Sequence, residues 1–354
     1  MKLIKTIDAE GAVLCHDITQ IIKGVTKDAV FRKGHVVKAE DIPVLLSVGK
    51  DQLYVWEQEE GMLHENDAAE ILCSLCLGEH MSRSQAKEGK IELTAERDGL
   101  LKVNSQGMKA VNGFGQMMIA SRHGNFPVKA GDKLAGTRII PLVIPEQKME
   151  EAKAAAMAAT GGRPILELKP FLHKKAGIVT TGNEVFHGRI QDTFTPVIRE
   201  KLAEFDTEII DHVTWDDDDK KVTASILDMI GKGADVVICT GGMSVDPDDK
   251  TPLAIKNTGA RIVSYGAPVL PGAMFLLAYY DVKDEAGKVL RTAAIMGLPG
   301  CVMYARRTIF DLILPRVMAD DVVTEEELAA LGEGGLCLNC PECSFPNCGF
   351  GKGR

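Results

Sequence analysis

Aromatic residues are scarce in this chain. Phenylalanine, tyrosine and tryptophan make up 5% of its 354 positions, with two tryptophans in all. A platform that stacks single-stranded bases needs such rings, so that mode of nucleic-acid binding is not expected. Positive charge is also in deficit: 41 lysines and arginines stand against 50 aspartates and glutamates, a formal net charge of −9. General attraction to nucleic acid or to an anionic membrane surface is therefore disfavoured. No apolar run approaches the roughly 20 residues of a spanning helix; the best, Ala273–Tyr280, reads as a buried strand. The start of the chain is broken by Asp8 and Glu10 too early for a secretory signal, and a cytoplasmic location is expected. The sequence has no P-loop, no complete G-x-G-x-x-G and no G-x-S-x-G. Its eight histidines show no ligand spacing; His187 follows a glutamate loop closely, but a surface role is the simpler reading.

Hydrophobic content of 45% and charged content of 26% suit a globular protein, and the length implies two or three domains. Residues 1–80 read as a small α/β module, with a short helix over 41–49, a strand over Gln52–Trp56 and a helix over Asn66–Leu77. Residues 81–145 read as a β-rich subdomain: Ile91–Thr94 alternates with period two, Asp98-Gly99 and Asn112-Gly113 signal turns, and Val128–Gly136 reads as a hairpin. Residues 146–163, rich in alanine, lysine and glutamate, form a helical linker stopped at Gly161-Gly162. From 164 to 320 apolar strands alternate with amphipathic helices, closing with a helix over Cys301–Met318. That alternation specifies an α/β fold with a doubly wound, mostly parallel sheet. A cysteine-rich tail occupies 321–354.

Ligands of such sheets sit beyond the carboxyl ends of the strands. Three glycine-bearing loops fall there: Thr181-Gly182-Asn183-Glu184, Thr240-Gly241-Gly242-Met243-Ser244 and Leu298-Pro299-Gly300. Any one of them reads equally well as an ordinary strand-to-helix turn. Three along one edge point instead to an anion held by backbone amides. Acidic residues crowd the same region: Glu184, Asp192, Asp216 through Asp219, Asp246, Asp248 and Asp249. Carboxylates beside a phosphate repel it unless a cation lies between, and Mg²⁺ is commonly held by one or two carboxylates plus phosphate oxygens. Most of the run at Asp216–Asp219 reads as a helix start, whereas Asp249 follows the glycine turn directly.

The stretch from about 175 to 315 resembles the molybdopterin-binding domain shared by molybdopterin molybdenumtransferases and molybdopterin adenylyltransferases. Thr181–Glu184 is similar to that family's Thr-Gly-Asp/Ser-Glu turn, and Thr240–Asp249 to its Gly-Gly-Val-Ser loop with a closing acid. Leu270-Pro271-Gly272 and Gly297-Leu-Pro299-Gly300 are similar to its Pro-Gly and Gly-Leu-Pro-Gly segments. The resemblance implies that molybdopterin or adenylyl-molybdopterin binds across Thr181, Gly182, Asn183, Thr240, Gly241, Gly242, Ser244, Pro271, Gly272, Pro299 and Gly300. It also implies that Glu184 and Asp249 act as the catalytic pair on a divalent cation. The activity implied is a step in molybdenum or tungsten cofactor biosynthesis, either insertion of molybdate or tungstate or delivery to apoproteins of Mo/W enzymes, in a homo-oligomer. Residues 1–145 lack the Asp-Gly-Tyr/Phe-Ala signature of the molybdenumtransferases, and cysteines stand where that family has a β-barrel. Two other functions therefore stay open: a non-catalytic chaperone or sensor of molybdopterin, and a nucleotide pyrophosphatase related to competence-damage-inducible proteins.

Nine cysteines cluster rather than spread, which suits a metal or redox centre better than a secreted disulfide framework. Cys337, Cys340, Cys343 and Cys348 follow C-x₂-C-x₂-C-x₄-C. A Cys₄ set holds zinc or an iron–sulfur cluster, and successive two-residue gaps favour [4Fe–4S] over Zn²⁺. Cys73 and Cys76 have redox spacing but lie on a helix, where burial is the simpler reading. Cys239 and Cys301 read as core or loop residues.

Overall fold

Five consecutive apolar or hydroxylic residues, Val236-Val-Ile-Cys-Thr240, are buried along their whole length. A strand with no solvent face belongs at the centre of a parallel sheet, and that is where the chain puts it. The computed structural model describes residues 2–22, 26–55, 60–244 and 249–353; Trp56, Asp246 and Asp248 lie outside the described residues. Two compact units are formed, residues 1–96, 103–122 and 130–167 in the first, and 97–102, 123–129 and 168–354 in the second.

In the first unit, strand Lys2–Lys5 pairs antiparallel with Gln52–Val55, and Ile18–Ile22 with Thr26–Phe31. Leu14, Ile18, Val37, Leu45, Leu53 and Val55 form a small core there, under the short helix Ile42–Ser47. A four-stranded antiparallel sheet runs in the order Met81–Arg83, Lys90–Ala95, Lys133–Ile139, Met117–Ser121. Lys90–Ala95 alternates exposed and buried positions, as its period-two pattern requires. Helix Glu65–Ser74 carries Cys73, and Cys76 follows it; both thiols are fully buried, and burial pushes Cys76 up to about 12. Helix Glu146–Thr160 ends at Gly161, which takes the left-handed conformation.

The second unit is built on a six-stranded sheet. Its strands are β1 (Lys175–Thr181), β2 (Glu208–Trp215), β3 (Val236–Thr240), β4 (Arg261–Tyr265), β5 (Leu276–Lys283) and β6 (Val289–Leu298), in the spatial order β2-β1-β3-β6-β5-β4. β2, β1, β3 and β6 are mutually parallel, and β5 and β4 are antiparallel at one edge. The helices are α1 (Asn183–Phe186), α2 (Phe194–Ala203), α3 (Asp219–Gly231), α4 (Thr251–Asn257) and α5 (Ile309–Met318). Alternate strand residues point to opposite faces. Ile178, Ile238 and Met296 pack with α2 and α5, whereas Val179, Val237, Cys239 and Ile295 pack with α3 and α4. Each such side chain contributes about 1.5–3 kcal/mol by leaving water. A sheet covered on both faces is the doubly wound arrangement.

Two local expectations change. Val128–Gly136 is not a hairpin: Phe126–Val128 pairs with Gly99–Leu101, while Lys133–Ile139 pairs with Lys90–Thr94 and Met117–Ser121. The turn at Gly131 (φ +87°) connects two different sheets. The closing helix does not run unbroken from Cys301. A 3₁₀ turn over Gly300–Met303 is followed by irregular chain, and α5 begins only after Thr308, whose hydroxyl accepts from Phe310 N while Asp311 accepts from Thr308 N at 2.7 Å. That reciprocal cap fixes the start. Among the described residues no helix is long and apolar enough to cross a membrane.

Candidate functional site at the carboxyl edge of the sheet

β1, β3 and β6 end side by side, and the loops that leave them enclose a cavity of about 790 Å³. Thr181, Gly182, Asn183 and Glu184 line it from the β1 loop; Thr240, Gly241, Gly242, Ser244 and Asp249 from the β3 loop; Pro299 and Gly300 from the β6 loop. Pro271 and Gly272 are not among its lining residues. Gly272 (φ +131°) instead lets α5 approach, since a Cβ there would meet Ile309 Cγ2 at 2.5 Å. The Pro271 carbonyl accepts from Ile309 N at 3.2 Å. His187 is exposed and also away from the lining, its ring set edge-on against Phe186.

Hydroxyl groups tie the cavity floor together. Thr181 Oγ1 donates to the Thr240 carbonyl at 3.3 Å and lies 3.1 Å from Thr251 Oγ1. Thr240 Oγ1 donates to Thr180 Oγ1 at 3.3 Å, and Thr180 and Thr195 both reach His212 Nε2 at 3.2 Å. All five threonines are buried. Thr181 and Thr240 thus hold the β1 and β3 loops in register. The glycines serve the same packing: Gly241 has φ +84° and Gly242 φ +53°, and a Cβ on Gly242 would meet Thr251 Oγ1 at 2.9 Å. At Gly300 nothing lies nearer than Met303 Cε at 4.0 Å, so that backbone faces open space.

The cavity's charge is one-sided. Glu184, Asp192, Asp217 and Asp249 line it, and among the described residues no lysine or arginine does. Asp192 accepts from Phe194 N at 2.8 Å, Thr195 N at 3.1 Å and Thr195 Oγ1 at 2.6 Å. Burial alone would raise its pKa, but these hydrogen bonds outweigh burial and hold the carboxyl below its ordinary range. Burial, helped by the positive charge of Arg199, pushes the His212 imidazole under the floor below its ordinary range. Asp218 caps α3 through Lys220 N and Lys221 N, and Asp216 pairs with Lys221 at 3.1 Å. That run is mostly a helix start, with Asp217 turned to the cavity. Tyr265 on β4 escaped sequence reading: its hydroxyl donates to the Met243 carbonyl at 2.9 Å and pins the β3 loop. Burial and the nearby negative charge of Asp249 push it upward. Its only sequence signal was an aromatic residue at a strand end.

The tail is packed onto the same unit. Leu336 bridges Leu270, Cys337 N donates to the Leu270 carbonyl at 2.8 Å, and Phe350 is buried. Cys337, Cys340, Cys343 and Cys348 line one cavity of about 460 Å³. Among the described residues no three His, Cys, Asp or Glu side chains converge as a ready-made ion site.

Comparison with known proteins agrees with this layout. Residues 177–319 match the family described as "Probable molybdopterin binding domain", and residues 3–57 match a domain of unknown function (DUF8806). A CinA-like protein of Mycolicibacterium vanbaalenii is 37% identical over 78 residues, and one of Mycobacterium tuberculosis 35% identical over 77. Each match takes in 22% of this chain and 18% of the relative, so the chain spans only a minor part of those proteins. Among solved structures, the tungsten cofactor synthesizing protein MoaB of Pyrococcus furiosus is similar over 42% of this chain and 89% of its own (18% identity, TM-score 0.29). CinA of Thermoplasma acidophilum is similar over 41% and 98% (18% identity, TM-score 0.31). The stretch that matches the molybdopterin-binding family model, residues 177–319, lies within the second unit.

Proposed function

We propose that the second unit binds molybdopterin or adenylyl-molybdopterin in the cavity beyond β1, β3 and β6, as a step in molybdenum or tungsten cofactor biosynthesis. The observation that carries this reading is a cavity shaped by three glycine loops yet lined by four carboxylates and, among the described residues, no basic side chain. An anionic ligand enters such a site with a cation. Glu184 and Asp249 offer hard oxygen donors from opposite loops, and one or two carboxylates with phosphate oxygens suffice for Mg²⁺. When bound, the cation neutralises charge on a phosphoryl group undergoing transfer. The chain's own residues orient the ligand: the β3 loop at Gly241 and Gly242 and the open backbone at Gly300 cradle the phosphate, and Ser244 adds a hydroxyl. Molybdate or tungstate would be the second substrate of an insertion step, and Mo/W apoproteins the recipients in a delivery step.

A second reading is favoured by the similarity to CinA-like proteins: hydrolysis of a nucleotide pyrophosphate in the same cavity. Titration with molybdopterin and with ADP-ribose, each with Mg²⁺ or EDTA, separates the two. Mg²⁺-dependent molybdopterin binding that Asp249→Asn weakens at least tenfold supports the first. Hydrolysis of ADP-ribose with no binding of molybdopterin would replace it by the second. Retention of adenylyl-molybdopterin without AMP release would define a carrier rather than a transferase.

A further inference from the structure

One cavity of about 460 Å³ is lined by all four tail cysteines, Cys337, Cys340, Cys343 and Cys348. The successive two-residue gaps between the first three match the ligand spacing of a four-iron cluster. Arg306 and Arg307 line the same cavity. Arg307, held by Asp311 at 2.8 Å, brings a cation to the wall beside Cys343. Arg306 Nη1 donates to the Pro341 carbonyl at 2.8 Å and holds the turn between Cys340 and Cys343. Phe345, under the Arg307 guanidinium at 4.9 Å, and buried Phe350 give the cavity an apolar wall. The segment 304–307 also lines the cavity, and Tyr304 lines both this cavity and the carboxyl-edge cavity.

We propose that Cys337, Cys340, Cys343 and Cys348 hold a [4Fe–4S] cluster, and that its loading, passed on through Tyr304 in the shared wall, strengthens ligand binding at the adjoining site. The first half stands on the tail alone; the second rests on the molybdopterin reading above. The full chain, purified without oxygen and reconstituted with ferrous iron and sulfide, is expected to bind about four irons and develop a broad visible charge-transfer band. Cys340→Ser and Cys343→Ser, both at exposed positions, are expected to lose the band while keeping the melting transition of the iron-free wild type. One zinc per chain with no band after reconstitution, or full iron content in both variants, overturns the cluster. Loaded protein is expected to bind molybdopterin at least fivefold more tightly than iron-free protein. Equal affinity in the two forms overturns the coupling and leaves the cluster standing. Absence of molybdopterin binding in both forms overturns the ligand reading instead, because the band and iron count do not depend on it.

Discussion

A Cβ on Gly241 would lie 2.0 Å from the carbonyl oxygen of Thr181, so the β3 loop runs against the backbone of the β1 loop with no room for a side chain. The two loops that frame the proposed phosphate site are thereby locked to each other. Gly241→Ala must displace one of them and also strain a residue at φ +84°. The expected cost is about 1–3 kcal/mol of stability, with at least a tenfold loss of ligand affinity. Denaturation curves and a binding titration on the same preparation check both.

Tyr265 acts one step from the ligand. Removing its hydroxyl frees the Met243 carbonyl and loosens the β3 loop. Tyr265→Phe is expected to cost about 1 kcal/mol or less in stability, since the ring is partly exposed, yet to weaken ligand binding several-fold. Unchanged affinity would mean that the loop is held by Thr251 and Gly242 alone.

Acid should strike the second unit at Asp321. This buried carboxylate accepts from Lys102 at 2.8 Å, Lys169 at 2.9 Å and Arg316 Nε at 2.6 Å. Burial opposes ionisation, but the three cations prevail and its pKa is lowered. The sign follows: its contribution is complete above the unfolded value near 4 and disappears as pH falls through the lower folded value. Asp321→Asn leaves Lys102 and Lys169 without their anion and Arg316 with Glu327 alone, and is expected to cost about 3–5 kcal/mol at neutral pH. The variant should also lose part of the steep acid dependence of the wild type, measured by denaturant unfolding between pH 7 and 3.

Glu65 in the first unit behaves oppositely. Burial raises it from 4.5 to about 7, against a smaller opposing influence of Arg138. A carboxyl raised in the folded state contributes stability that is complete below pH 4.5 and is lost as pH rises through about 7. With allowance for solvent screening, the effect is about 2 kcal/mol. Glu65→Gln is expected to flatten the stability profile of the first unit between pH 5 and 8, followed by hydrogen exchange of the Lys90–Ala95 strand.

Much of this architecture was legible in the chain. The alternating strands and helices after residue 164 specified the doubly wound sheet, because a strand buried on both faces must be apolar throughout and its crossovers must be amphipathic. The three glycine loops at strand ends marked the cavity, since ligand sites of this fold form at carboxyl ends. Other features were not legible. Val128–Gly136 carries every local sign of a hairpin, yet its halves pair with different strands, a choice made by distant partners. Pro271 and Gly272 looked like members of the ligand site, but the space near them is taken by Ile309.

The amino-acid order alone settled which segments form strands, where the chain turns and which side chains bring carboxylate or thiol chemistry, because period, propensity and donor type are local properties. Tertiary structure alone decided that Thr181 and Thr240 spend their hydroxyls on each other's loops, that Tyr265 reaches Met243, and that Tyr304 stands between two cavities. Those relations depend on which strands lie side by side, and strand order is set by burial summed over the whole sheet.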